Sequence, residues 1–249
     1  MTANSCQSSN TARTVDTSTG DNDTGDSDNA RTPRFTVGIV AVIGALLVAP
    51  IINSSLAPGT ASASAASCPA VQVVFARGTG EPPGVGRVGD AFAEALRSQL
   101  VDETIAVYPV DYPASLDLLR AVEGANDTSS FVQGIVASCP DTKIVLGGYS
   151  QGAAVMDIVA VADRPVLGFD NPLPPALADR VAAVAVFGNP SNRLRGPLTT
   201  LSPLYGEKTI DLCNGGDPVC STGQETPAHS QYVQAGLAAE AARFVAGRL

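Results

Sequence analysis

The chain has 249 residues, of which 45% are hydrophobic and 16% are charged, with one histidine and no tryptophan. This composition supports a sizeable core and excludes a wholly disordered chain. The net charge of −9 argues against nucleic acid or an anionic membrane surface as the main partner. A lone histidine also excludes a zinc site built on two or three histidines, so we expect no metal.

The first 66 residues have the features of a segment that lies outside the folded domain. Residues 1–34 are polar, rich in aspartate and without apolar periodicity, which predicts a disordered tail. Residues 35–66 begin with an uncharged apolar run, preceded by Arg31 and Arg34, and end in a stretch rich in alanine and serine. This order predicts a secretory signal peptide, with an uncleaved N-terminal membrane anchor as the alternative. We therefore expect a secreted or cell-envelope protein whose domain occupies residues 67–249.

Beyond these residues, strand-like and helix-like segments alternate. Runs rich in valine and isoleucine predict strands at Val71–Ala76, Ile105–Val110, Lys143–Gly148, Val181–Phe187 and Lys208–Leu212. Apolar spacing predicts helices at Asp90–Leu100, Ser115–Val122, Ser129–Ser138, Gln151–Ala162 and Ser230–Arg248. Gly124–Asp127 is the predicted break between the second and third helices, and Ser230 the predicted cap of the last. The alternation predicts one α/β domain, with a parallel sheet covered by helices on both faces.

Four cysteines follow residue 66: Cys68, Cys139, Cys213 and Cys220. In an exported chain, four cysteines predict two disulfides, for which three connectivities exist. We favour the pairs Cys68–Cys139 and Cys213–Cys220. The second pair would close a short loop around Asp217.

The segment Gly148-Tyr149-Ser150-Gln151-Gly152 fits the G-x-S-x-G pattern, which places a serine on a sharp turn from a strand into a helix. The motif follows a predicted strand directly and opens a predicted helix. Glycines permit the tight turn, and the amino terminus of the helix offers N–H groups to an oxyanion. Ser150 is therefore the candidate nucleophile, with a serine in an ordinary glycine-rich turn as the alternative.

A nucleophilic serine needs a base and an orienting carboxylate. His229 is the only histidine in the chain, although a lone histidine is commonly a surface residue. Asp217 precedes it and is the candidate carboxylate, ahead of Asp211, which lies within a predicted strand. The resulting chain order of serine, aspartate and histidine is that of α/β-hydrolases.

Three segments together resemble the cutinase family, which includes actinobacterial cutinase-like proteins and acetylxylan esterases. They are Ala76–Glu81, Gly148–Ala154, and the stretch from Cys213 through Asp217-Pro218-Val219-Cys220 to His229. The resemblance covers the chain from Cys68 to its C-terminus. It implies a five-stranded parallel sheet, secreted hydrolysis of carboxylic esters and the two disulfide pairs favoured above. It also implies an oxyanion hole built from the backbone N–H groups of Thr79 and Gln151. This chemistry needs no metal or organic cofactor.

One difference from fungal cutinases bears on the substrate. The segment Val219–Ala228 is polar here, whereas the same loop is markedly apolar in those enzymes. On the other side of the site we expect an apolar wall formed by Val166, Leu167, Phe169 and Leu173. A one-sided apolar rim favours short to medium acyl chains. Acetylxylan, lipids and phospholipids remain alternative substrates on the same scaffold.

Two other classes of function remain open. The segment Gly84–Gly89 matches the dinucleotide fingerprint G-x-G-x-x-G, although it does not follow the first strand directly. The other class is a non-catalytic cell-surface protein, against which the presence of Ser150, Asp217 and His229 argues. We expect a monomer that acts on an ester of a lipid, a polyester or an acylated carbohydrate.

Overall fold

A computed structural model of the protein describes residues 68–249, so the tail and signal-peptide predictions lie outside the described residues. The strands are β1 (Val71–Ala76), β2 (Ile105–Pro109), β3 (Lys143–Tyr149), β4 (Val181–Phe187) and β5 (Thr209–Leu212). The α-helices are α1 (Gly86–Gln99), α2 (Ala121–Ser138), α3 (Gln151–Val161), α4 (Ser191–Leu194), α5 (Leu198–Leu201) and α6 (Leu237–Ala246). The strands form one parallel sheet in the order β2-β1-β3-β4-β5, which confirms the predicted α/β-hydrolase sheet.

Helices cover both faces of the sheet, and successive side chains of a strand point to opposite faces. Each strand therefore buries side chains on both sides. In β1, Val73 and Phe75 pack in the layer that holds α1 and α6, while Val74 and Ala76 pack in the layer that holds α2 and α3. A strand covered on both sides must be apolar at every position, which explains the uninterrupted hydrophobic run of β1.

The predicted break within α2 is wrong, since this helix runs without interruption through Gly124–Asp127. The polar side chains of this segment serve tertiary contacts. Asp127 accepts hydrogen bonds from the Tyr108 hydroxyl and the Asp111 N–H, and Asn126 donates to the carbonyl of Gly168. These partners come from distant parts of the chain, so the local pattern indicated a turn where packing sustains a helix.

The last helix begins at Leu237 rather than at Ser230. Ser230 ends a 3-10 turn, Thr226–Ser230, and its hydroxyl donates to the carbonyl of Pro227 instead of capping a helix. The ring of Tyr232 is fully buried against the sheet, which holds the chain in an irregular path until Gly236. His229 lies in the 3-10 turn that precedes this irregular segment.

The two favoured disulfide pairs are confirmed. Cys68–Cys139 joins the start of β1 to the end of α2, and Cys213–Cys220 closes the loop that follows β5. Within residues 68–249, none of the helices has the length and apolar character that crossing a bilayer requires.

Two carboxylates, the buried Asp157 and the half-buried Asp211, hold the crossover between β4 and β5. The Asn189 carboxamide donates to Asp157 at 2.9 Å and to Asp211 at 3.1 Å. The Ser191 hydroxyl also donates to Asp157, and the Leu198 N–H donates to Asp211. Burial raises the pKa of Asp157 to about 6, and burial also raises the pKa of Asp211.

Replacing Gly152 with alanine tests the close approach of α3 to β1. A Cβ at this position would overlap the carbonyl oxygen of Ala76, a backbone atom that cannot yield without moving the helix off the sheet. We expect Gly152→Ala to lower the free energy of unfolding by about 3 kcal/mol in urea denaturation. Gly134→Ala, on the exposed face of α2 where a Cβ meets nothing within 4 Å, is the control. It should raise that free energy by about 0.5–1 kcal/mol, and equal losses in both variants would contradict the packing argument.

Replacing Asp157 with asparagine tests the buried carboxylate through pH. The folded protein keeps a proton on Asp157 up to about pH 6, whereas the ordinary pKa of aspartate is 3.8. Between pH 3.8 and about pH 6 the aspartate is ionised in the unfolded chain but still protonated in the folded protein. The folded state therefore loses stability as the pH rises, by up to about 3 kcal/mol for two pKa units. Asp157→Asn removes this penalty, so its unfolding free energy should rise relative to the wild type from pH 4 to pH 7. The exposed Asp163→Asn should show no such trend. If the difference in unfolding free energy between Asp157→Asn and the wild type does not change with pH, the raised pKa of Asp157 is refuted.

Candidate active site

Ser150 occupies the sharp turn between β3 and α3. Its backbone has φ 57° and ψ −116°, a conformation rarely adopted by residues other than glycine. The Ser150 N–H donates to the carbonyl of Phe187 on β4, and the Ser150 carbonyl accepts from the N–H groups of Ala153 and Ala154. These bonds hold the strained turn and present the hydroxyl at the carboxyl edge of the sheet.

The structure brings Ser150, His229 and Asp217 together from three distant segments. The Nε2 atom of His229 lies 2.9 Å from the Ser150 Oγ, and its Nδ1 atom lies 2.8 Å from the Asp217 Oδ2. The His229 side chain is 22% exposed, while the Asp217 side chain is fully buried. The imidazole is therefore within hydrogen-bonding distance of both a partly exposed hydroxyl and a buried carboxylate.

Aromatic packing and one glycine fix the imidazole. The ring of Tyr149 stacks on that of His229, with centroids 5.1 Å apart, and its hydroxyl donates to the His229 carbonyl. Burial, with the Glu81 carboxylate nearby, raises the pKa of Tyr149 to about 12, so this donor keeps its proton. On the other side, a Cβ at Gly188 would lie 3.0 Å from the His229 Cε1, and Gly188 has φ +60°. A side chain at this position would be both strained and crowded.

Asp217 is anchored by its loop. The Cys213–Cys220 disulfide closes the loop, and the Val219 N–H donates to the Asp217 Oδ1 at 2.8 Å. Asn214 ties the loop to the segment before His229 through a 2.8 Å bond from its carboxamide to the Ala228 carbonyl. Asp211, the rival carboxylate, is instead bonded into the network around Asn189.

The loop after β1 brings Thr79 against the start of α3. The Thr79 hydroxyl lies 3.0 Å from the Gln151 Oε1. The Gly80 N–H donates to the Ala114 carbonyl and the Gly78 N–H to the Glu81 carboxylate. Within residues 68–249, the Thr79 and Gln151 N–H groups have no acceptor. One unpaired donor therefore lies in the first residue of α3, next to Ser150, and the other lies in the loop that contacts this residue.

Two charged residues that the sequence analysis did not single out hold this loop in place. The Arg77 guanidinium is buried and donates to the carbonyls of Glu81 and Tyr112. The Glu81 carboxylate accepts the N–H of Gly78 at 2.7 Å and the N–H of Arg87, in the first turn of α1, at 3.0 Å. A dinucleotide would need the start of this helix for its pyrophosphate, but the Glu81 carboxylate already occupies that position. The structure therefore argues against a dinucleotide-binding site here.

Of the four residues expected to form an apolar wall, two are exposed and two are buried. Val166 and Leu167 are 41% and 97% exposed and line a surface groove of about 860 Å³ along α3. Phe169 and Leu173 are 0% and 4% exposed and belong to the core beneath, so they cannot form a wall that a substrate touches. An irregular loop has no periodicity from which its buried and exposed apolar residues could be told apart.

The groove has a second apolar side that the sequence analysis missed. Leu118 and Leu119, in the 3-10 turn before α2, are 64% and 83% exposed and line it opposite α3. Ala154 lines its floor one helical turn beyond Ser150, about 6 Å along the helix axis. In the sequence these two leucines form an apolar pair within a polar stretch, which could have indicated an exposed apolar site. A helix that buries the two leucines would give the same pattern.

Comparison with known proteins adds independent information. The Cutinase family model matches residues 67–249. The phospholipase Culp4 of Mycobacterium tuberculosis is 50% identical over 218 residues, which cover 87% of this chain and 96% of that protein. The probable carboxylesterase Culp3 of the same species is 53% identical over 209 residues, which cover 83% of this chain and 79% of that protein.

A solved structure agrees with these sequence matches. A Trichoderma reesei cutinase in complex with a C11Y4 phosphonate inhibitor is 34% identical, with a TM-score of 0.60 over 72% of this chain and 76% of that one. The match of the family model to most of the chain and the identity to these relatives agree with the five-stranded sheet and its serine turn. The chain belongs to the cutinase family, and it is a carboxylic ester hydrolase.

Proposed function

We propose that the protein is a serine esterase in which Ser150 is the nucleophile, His229 the general base and Asp217 the orienting carboxylate. The observation that carries this proposal is the 2.9 Å separation between the His229 Nε2 and the Ser150 Oγ. A hydroxyl becomes a competent nucleophile when a neighbouring base can take its proton as it attacks. The 2.8 Å contact between His229 and Asp217 supports the tautomer that leaves Nε2 free to accept.

The reaction then follows from the positions of these groups. The Ser150 Oγ attacks the ester carbonyl carbon while its proton moves to the His229 Nε2. The imidazolium returns that proton to the alcohol oxygen, the alcohol leaves, and an acyl group remains on the serine. Water, deprotonated by the same imidazole, hydrolyses this acyl-enzyme. Asp217 stabilises the imidazolium at both stages and keeps its negative charge.

We further propose that the N–H groups of Thr79 and Gln151 form the oxyanion hole. Gln151 follows Ser150 directly, Thr79 contacts the Gln151 side chain, and neither N–H has an acceptor within residues 68–249, which supports this role. Donors aimed at the developing negative charge contribute about 3 kcal/mol each in comparable sites. The α3 dipole adds to the effect, because Gln151 is the first residue of that helix.

The groove along α3 supports an ester with a short to medium acyl chain as the substrate. It is apolar, it passes one helical turn from Ser150, and it is open to solvent rather than enclosed. The polar segment Val219–Ala228 lies on the histidine side and offers little apolar contact. The relative named as a phospholipase favours a lipid ester over an acetylated carbohydrate.

The two disulfides support a site of action outside the cytoplasm, because structural disulfides persist in oxidising compartments. The basic, apolar and small-residue order of the N-terminal segment points the same way. We accordingly propose an exported enzyme.

Substitution of the proposed triad tests the mechanism. Ser150→Ala and His229→Ala should each lower kcat for p-nitrophenyl butyrate by about 10⁴-fold or more, since these residues act as a unit. Ser150→Ala should also abolish labelling by an alkyl phosphonate, measured as a mass shift of the intact protein. Ser98→Ala, an exposed serine on α1, is the matched control and should keep full activity and labelling. Substantial turnover by folded His229→Ala would require a different base.

Chain-length profiling tests the role of the groove. Across p-nitrophenyl esters from acetate to palmitate, we expect the wild-type kcat/KM to be highest for short and medium chains. Leu167→Asn should lower kcat/KM for the octanoate about fivefold more than for the acetate, the loss of ~1 kcal/mol of apolar contact. Asparagine tolerates the left-handed backbone of Leu167, which has φ 45°, so the variant adds no strain.

Val101→Asn, an equally polar change at a 78% exposed residue that does not line the groove, is the control for this profile. It should leave the ratio of octanoate to acetate unchanged. A wild-type activity that rises steadily to palmitate, or equal profiles for the two variants, would refute the proposed use of the groove.

A further inference from the structure

We propose that Tyr232 is a positioning residue for ester hydrolysis, whose hydroxyl holds the Asp217 carboxylate in the orientation that His229 requires. The inference rests on the proposed function, because it assigns Tyr232 a task only if Asp217 and His229 form the base. Tyr232 lies outside the motifs that define the site in the sequence. It acts through Asp217 and does not reach Ser150.

The Tyr232 hydroxyl lies at the centre of the disulfide-closed loop. It donates to the Asp217 Oδ2 at 2.6 Å and accepts the Asn214 N–H at 3.1 Å. The Cys220 Sγ lies 3.3 Å away. Tyr232 has 0% of its surface exposed, so no water competes for these contacts. One hydroxyl therefore links the start, the middle and the end of the loop.

The Oδ2 atom of Asp217 receives two donors. The Tyr232 hydroxyl and the His229 Nδ1 lie 2.6 Å and 2.8 Å from this same oxygen, while the Val219 N–H donates to Oδ1. If the carboxylate rotated about its Cβ–Cγ bond, Oδ2 would lose its hydrogen bonds to both the Tyr232 hydroxyl and the His229 Nδ1. Hydrogen bonds to a buried charge are among the strongest side-chain contacts, so the orientation is firmly held.

The Tyr232 ring is itself fixed by packing. It meets Phe187 edge to face at 6.2 Å and 86°, and Tyr149 at 5.6 Å and 61°. It also lies edge-on to the imidazole of His229, at 6.3 Å and 88°. The hydroxyl is thus carried on a rigid ring whose position is set by the sheet and by the residue preceding Ser150.

The Tyr232 hydroxyl keeps its proton near neutral pH and can therefore donate to Asp217. Burial, and then the hydrogen bond to Asp217, raise the pKa of Tyr232 well above its ordinary value. Charged side chains around the site are those of Glu81, Arg87, Arg193, Asp211 and Glu225. Arg87 and Arg193 donate to backbone carbonyls of the segments that carry His229 and Asp217. None of these groups bonds to the Tyr232 hydroxyl, so we expect them to stay in place when only this hydroxyl is removed.

Tyr232→Phe removes the hydroxyl and keeps the ring. We expect kcat for p-nitrophenyl butyrate to fall about tenfold with KM within a factor of two, the effect of one lost hydrogen bond to a charged group. The acid limb of the kcat/KM profile should move to higher pH, because Oδ2 then directs more of its negative charge at Nδ1 and stabilises the imidazolium. A merely structural role would lower the melting temperature and leave the kcat and the acid limb of the folded enzyme unchanged. That result would overturn the proposal.

Tyr205→Phe is the matched control. Tyr205 is also buried, but its hydroxyl has no hydrogen-bond partner within residues 68–249. We expect its kcat and its acid limb to equal those of the wild type. A tenfold loss of kcat in this variant as well would show that removing any buried tyrosine hydroxyl suffices, and would overturn the specific role of Tyr232.

A double-mutant cycle separates this inference from the proposed function. If Tyr232 acts through Asp217, Tyr232→Phe should lower the residual turnover of Asp217→Asn no further, whereas an additive loss would refute the route. Full activity of Asp217→Asn alone would overturn the proposed triad as well as the inference. If Tyr232→Phe does not fold, the protein with 3-fluorotyrosine at position 232 provides the test through its pH profile. Its more acidic hydroxyl is a stronger donor, so the acid limb should move to lower pH, and an unchanged limb would refute the proposal.

Discussion

The close approach of α3 to the end of β1 is the constraint on which the rest of the site depends. Gly152 lies so near the backbone of Ala76 that any side chain would separate the two elements. This contact brings the start of α3 beside the loop that carries Thr79. Ser150, two residues before Gly152, has a positive φ, a strain on the order of 1–3 kcal/mol that the surrounding contacts must offset. The close packing of α3 on β1 therefore sets the start of the helix, and the hydrogen bonds of the serine turn and of the Thr79 loop complete the arrangement.

The groups on the histidine side are held by polar and aromatic contacts rather than by regular secondary structure. His229 lies in the short 3-10 turn Thr226–Ser230, and Asp217 lies in a loop. The disulfide, the buried hydroxyl of Tyr232 and the stacked ring of Tyr149 compensate for the missing backbone ladder. If His229 is the base that we propose, such rigid support would keep it in contact with its partners while it exchanges protons.

Exposure is distributed unevenly around this rigid centre. Asp217 is fully buried and His229 is partly exposed, whereas Leu119 and Leu167 project almost entirely into solvent at the groove. Exposed leucines contribute little to the stability of the fold. An apolar chain that lies against them would remove their surface from water, which is favourable. The molecule thus combines a dry carboxylate, which strengthens electrostatic contacts, with an open apolar groove.

The sequence by itself determined the strands and the candidate triad, because each depends on a local pattern or on scarcity, whereas it left three possible disulfide connectivities. A strand buried on both faces must be apolar throughout, and a chain with one histidine has one possible imidazole base. Only the tertiary structure decided that Asp127 continues a helix, that Phe169 is core while Leu167 is surface, and that Tyr232 reaches Asp217. These outcomes depend on partners that are remote in the chain, and no local periodicity encodes a contact between distant segments.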